Sequence, residues 1–115
     1  MKIDRSLLAG STSLLLLRLL AEEDLYGYQM IERLRARSDD TFTLKAGTLY
    51  PLLHTLETTG WVTSYDRAAD GARVRRYYHL TDAGHARLQE KCAEWETFSD
   101  AVNRVLRGGE ACVPG

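Results

Sequence analysis

The stretch KAGTLYPLLHTLETTGW, Lys45 to Trp61, decides how the rest of the chain is read. Leu49, Leu52, Leu53 and Leu56 recur at the i, i+3, i+4, i+7 spacing of one buried helical face. Pro51 has no N–H and cannot lie deep inside a helix, so the helix is expected to begin near Ala46 to Thr48. Gly60 stands where a C-terminal cap belongs. With the start and the apolar face set, the outward side carries Thr48, Tyr50, His54 and Thr55.

Two helices are expected before it. Leu14 to Leu20, with Ser11 or Ser13 as caps, is apolar around most of its circumference and needs cover from more than one neighbour. It ends at Glu22-Glu23-Asp24. Gly27 to Arg37 has an apolar stripe of Met30, Ile31 and Leu34 and a charged opposite side. The loop SDDTFT follows.

Beyond Gly60, WVTSYDR and RVRRYYHL are β-prone runs joined by AADGA, a hairpin in which Asp70-Gly71 makes the turn. Alternation puts Val74, Arg76, Tyr78 and Leu80 on one side of the second strand and Arg73, Arg75, Tyr77 and His79 on the other. Tyr78 and Leu80 are expected in the core, with Arg75 better placed than Arg76 for a phosphate. Thr81 then caps a long helix ending at Gly108-Gly109. Leu88, Cys92, Trp95, Ser99, Val102 and Leu106 form a heptad seam along it. The tail, 109–115, is expected to be flexible.

The fold class expected is mainly α with a small β-hairpin: a winged helix-turn-helix over 1–80, followed by a long C-terminal dimerisation helix over 81–108. In that architecture the helix before the hairpin reads base edges in the major groove, and the hairpin meets the phosphate backbone. The chain of 115 residues carries 16 acidic and 15 basic residues. A net charge of −1 excludes nucleic-acid binding by bulk charge, so any such binding needs a local patch. Arg67, Arg73, Arg75 and Arg76 supply one on the hairpin. The plainer reading is a solvated strand edge that blocks unwanted pairing.

LYGYQMIERL, AGTLYPLLHTLETTGW and RRYYHLTDAGHARL closely resemble, in order and spacing, the PadR family of bacterial transcriptional regulators, over about Leu7 to Arg107. The likeness is to the short subfamily with a single C-terminal helix. It implies a homodimeric winged helix-turn-helix that represses transcription from a pseudo-palindromic operator in double-stranded DNA, released by a small effector. The family's GTLYP segment falls on Gly47 to Pro51, which makes Thr48, Tyr50 and His54 candidate DNA contacts, with Thr43 and Lys45 just ahead. Tyr26 and Tyr28 match an aromatic pair at the second helix; Tyr28 either touches DNA or packs. The basic wing matches Arg73, Arg75 and Arg76. Trp61 departs from the smaller aliphatic residue common there.

The heptad seam needs a partner, and a second copy through a two-fold axis is the simplest. The resemblance places Trp95 where multidrug-binding members flank a planar aromatic or hydrophobic ligand, with Ala9, Thr12, Ser13, Cys92 and Ser99 as neighbours. Packing of the dimer interface is the competing role for Trp95.

No glycine-rich phosphate loop, nucleophile elbow or HExxH pair occurs, so no enzyme and no cofactor are expected. His54, His79, His85, Cys92 and Cys112 fall at no recognisable metal-ligand spacing. Asp4, Arg18 and the Ala21-Glu22-Glu23-Asp24 segment argue against a signal or membrane anchor, and two cysteines fit a reducing cytoplasm. The rival to a regulator is a winged helix used only for protein interaction or dimerisation, which predicts no salt-dependent DNA affinity.

Overall fold

The computed structural model describes residues 5–69, 71 and 73–108, with the side chains of 5–10 and 69 outside that set. The elements are α1 (Arg5–Glu22), β1 (Leu25–Tyr26), α2 (Gly27–Arg37), α3 (Ala46–Thr58), β2 (Val62–Ala69), β3 (Arg73–Leu80) and α4 (Asp82–Arg107). The fold is a winged helix with a long C-terminal helix, as expected. The predicted turn residue Asp70 and the predicted tail 109–115 lie outside the described residues.

α1 starts well before Leu14, which corrects the proposed caps: Ser11 and Ser13 lie inside the helix. The extension has a packing reason, because α1 contacts α2, β3 and α4 and Thr12 is itself buried. Leu16, Leu17, Leu19 and Leu20 are all buried, so neighbours cover most of the helix surface.

In α3, Leu49, Leu53 and Leu56 are buried and Leu52 is half-buried. Its C-terminus closes as a Schellman motif: Trp61 N–H donates to Leu56 O and Gly60 N–H to Glu57 O, each at 3.0 Å. Gly60 takes φ +90°, a left-handed backbone that suits glycine. Pro51 is the sixth residue of α3, so the carbonyl of Gly47 has no N–H donor at position 51.

The sheet has three strands in the order β1-β3-β2, all antiparallel. β2 and β3 pair from Val62↔Leu80 to Ala69↔Arg73, and β1 adds Leu25↔Tyr78 and Tyr26↔Tyr77. β1 has no sequence signal, because two residues are too few for alternation to show. Tyr78 and Leu80 face the core as expected.

α4 is capped by Thr81, whose Oγ1 accepts from Gly84 N–H at 3.0 Å, and stops at left-handed Gly108. Gly84 packs so closely on the backbone of Trp61 that a methyl there would overlap the Trp61 carbonyl oxygen and the Leu80 side chain. The Trp61 ring lies under the Arg87 guanidinium at 5.2 Å, which accommodates the large aromatic at the base of the hairpin. Cover of α4 within the chain thins toward its C-terminus: Leu88 is buried, Cys92, Ser99 and Val102 are half-buried, and Val105 is 78% and Leu106 69% exposed.

Candidate nucleic-acid interface

The N-terminal half of α3 buries Leu49 and turns its other side outward. Thr43, Lys45, Thr48, Tyr50 and His54 are all exposed, as are Ala46, Gly47 and Pro51 between them. Lys45 is the N-cap residue, and its carbonyl accepts from Thr48 N–H at 3.0 Å and Leu49 N–H at 2.9 Å. The turn ahead of it is shaped by Ser38, whose Oγ donates to Leu34 O at 2.7 Å and accepts from Phe42 N–H at 3.0 Å. Asp39 and Asp40 take left-handed backbones there, φ 53° and 65°, which Asp tolerates better than most residues. These bonds lead the chain from α2 into α3.

Tyr50 is half exposed, and its phenol packs against Gly27 at the start of α2. Tyr28, one residue on, is 60% exposed. The beginnings of α2 and α3 therefore meet, with two tyrosines at the outer surface.

The two faces of the hairpin differ. α3 packs on the face carrying Val62, Ser64, Tyr78 and Leu80, where Ser64 Oγ donates to Glu57 Oε2 at 2.6 Å. Arg76 shares that face and pairs with Asp66 opposite at 3.7 Å. Burial pushes the Tyr78 phenol above its ordinary pKa, and the nearby Arg76 charge opposes that rise.

The other face carries an aromatic ladder. Tyr26 meets Tyr77 edge-on at 5.3 Å, and Tyr77 stacks on Tyr65 at 5.8 Å. Arg67 lies over Tyr77 at 4.7 Å and Arg75 over Tyr26 at 4.8 Å. Tyr77, on the side opposite the core, is nevertheless buried by this cover. Arg73 is exposed nearer the tip. Among the described residues, Arg67, Arg73 and Arg75 have no carboxylate within ion-pair distance, while Arg33, Arg35 and Arg37 of α2 are all paired. Below the ladder, Asp24 accepts from Tyr65 OH at 2.6 Å and bonds His79 Nδ1 at 2.8 Å.

The family model for the transcriptional regulator PadR-like family matches residues 16–90 of this chain. The chain belongs to that family. PadR-family members are transcriptional regulators and not enzymes. The chain is 35% identical over 95 residues to the transcriptional regulator Rv3488 of Mycobacterium tuberculosis, covering 83% of this chain and 81% of that protein. A transcriptional regulator from Clostridium thermocellum superposes with a TM-score of 0.79 at 31% identity, over 86% of this chain and 96% of the other. A PadR family regulator from Eggerthella lenta gives 0.78 at 34%, over 88% and 86%.

The residues expected around a ligand are distributed unevenly. Trp95 is half exposed between two apolar grooves of about 370 and 340 Å³. Ser99 lines the first and Cys92 the second, and Ser11 and Phe42 line both. Thr12 is buried and Ser13 half-buried, and neither lines these grooves. The Ala9 side chain lies outside the described set. Phe42 and Phe98 escaped the sequence reading; Phe98 falls off the heptad seam, and nothing local ties the loop residue Phe42 to α4. Among the described residues no group of three or more His, Cys, Asp or Glu could hold a metal, and no helix is long and apolar enough to cross a membrane.

Proposed function

We propose that this PadR-family protein is a homodimeric repressor that binds a pseudo-palindromic operator and is released by a small effector. The observation that carries the DNA-binding part is the exposed polar side of α3 beside Arg67, Arg73 and Arg75 of the wing, which among the described residues have no carboxylate within ion-pair distance. In this reading Thr48, Tyr50 and His54 address base edges, Thr43, Lys45 and Tyr28 flank them, and Arg73, Arg75 and Arg76 meet phosphates. Residues 1–80 bind DNA and 81–108 hold the dimer.

The dimer is supported by Trp95, Phe98, Val105 and Leu106, large apolar side chains exposed along α4. A two-fold axis through α4 sets two α3 helices on half-sites about one DNA turn, roughly 34 Å, apart. A planar aromatic or hydrophobic effector fits the grooves beside Trp95. The place of action is the cytoplasm, where the operator is.

The deciding experiment is a mobility shift with the DNA upstream of the protein's own gene, at two salt concentrations, with Thr48→Ala and Arg73→Ala beside wild type. Specific binding that weakens steeply with salt supports the reading. Absence of any specific shift at low salt supports a winged helix used only for protein interaction.

A further inference from the structure

Arg75 and Arg76 are neighbours held in opposite ways. Arg76 faces Asp66 at 3.7 Å in an exposed ion pair. Arg75 has its guanidinium carbon 4.8 Å from the ring centroid of Tyr26 and no carboxylate in range among the described residues. An aromatic face restrains a guanidinium while leaving its full positive charge available. That is the state a phosphate contact needs.

The ring beneath Arg75 is itself well fixed. Tyr26 pairs with Tyr77 across β1 and β3, and its N–H donates to Gln29 Oε1 at 3.1 Å. Its ring abuts Tyr77, which stacks on Tyr65, which is tied to Asp24. The platform under Arg75 thus draws on all three strands. Arg75 Nε is shielded from solvent with no hydrogen-bond partner among the described residues, as expected for a guanidinium laid on a ring.

We propose that Tyr26 is a positioning residue for DNA binding: it holds Arg75, charged and restrained, for a backbone phosphate of DNA seated on α3. The next residue, Gly27, seats Tyr50 of α3, so consecutive positions at the start of α2 set a wing cation and an α3 ring in one frame. The inference rests on the DNA-binding reading.

The test uses the full-length protein and a mixed-sequence DNA duplex, with affinity read by fluorescence anisotropy over a salt series. Wild type, Tyr26→Phe, Tyr26→Leu, Arg75→Ala and the Tyr26→Leu/Arg75→Ala double variant are compared. Arg75→Ala is expected to make the log–log salt slope shallower by about 0.9, the share of one phosphate. Tyr26→Leu is expected to weaken binding about two- to five-fold, Tyr26→Phe to retain wild-type affinity, and Tyr26→Leu to add nothing once Arg75 is absent. A Tyr26→Leu effect of equal size with and without Arg75, or none in either background, overturns the proposal and leaves the DNA-binding reading standing. A wild type with no salt-dependent binding overturns both. A further measurement needs no variant to fold: in wild-type protein the Arg75 side-chain protons should be shifted upfield by the Tyr26 ring, and ordinary shifts would overturn the proposal.

Discussion

The phenol of Tyr50 on α3 fills the space that a side chain at Gly27 on α2 would occupy. The atoms in the way are the far end of a rotatable side chain, so Gly27→Ala is expected to leave the fold intact and turn the Tyr50 ring outward. If Tyr50 contacts a base, affinity for specific DNA falls by on the order of 1 kcal/mol, about five-fold. The melting temperature should change little. Equal affinities for Gly27→Ala and wild type, measured by anisotropy, would remove the role assigned to this contact.

Gly84 presents the opposite case, because the obstacle is the backbone carbonyl of Trp61. Gly84→Ala must push α4 away from the start of β2, at a cost of about 1–3 kcal/mol. Urea denaturation would show this as a lower midpoint with an unchanged slope.

Thr81 joins the same corner by its side chain, accepting from Gly84 N–H and lying 2.8 Å from Gly60 O. Thr81→Ala is expected to cost about 1 kcal/mol and Thr81→Ser much less. Comparable losses for both substitutions would argue that the methyl, not the cap, matters.

Asp24 should shape the acid limb of stability. Partial burial pushes its carboxyl up, but hydrogen bonds from Tyr65 and His79, with the charges of His79 and Arg67, outweigh this and hold it below the usual 3.8. A carboxyl with a lower pKa folded than unfolded contributes stability above its unfolded value and loses it as pH falls through the folded one. Wild type should therefore lose stability below the ordinary Asp range, and Asp24→Asn should lose less over the same interval. Parallel urea midpoints for the two proteins from about pH 6 to about pH 2 would count against this.

Phe98 tests the proposed dimer. Phe98→Glu places a charge among the exposed apolar residues of α4, well away from the core. Sedimentation should show a monomer, and operator affinity should fall by about a hundred-fold or more as the second half-site is lost. An unchanged dimer would place the interface elsewhere.

The helices and the hairpin were legible because their residues repeat: the leucines of α3, the stripe of α2 and the alternation of β3 each report a period. Thr81 and Gly60 were legible as caps because capping depends on local chemistry. What escaped depends on pairs far apart in the chain. β1 exists only through β3, the seats of Arg75 and Tyr50 lie at Tyr26 and Gly27, and Phe42 reaches the α4 grooves by way of a turn with no periodicity. The early start of α1 escaped because Ser11 and Ser13 read as caps, whereas the helix runs through both from Arg5.

Pro51 gives α3 a property that no side chain can supply. Without an N–H at that position, the carbonyl of Gly47 lacks the donor that any other residue at 51 would supply, on a stretch where Gly47 and Pro51 are both exposed. Substitutions at Thr48, Tyr50 or His54 can rewrite what the helix displays, but this oxygen belongs to the main chain and persists through all of them. Only a change at residue 51 would silence it. The helix therefore carries one letter that is spelled by an absence four residues away.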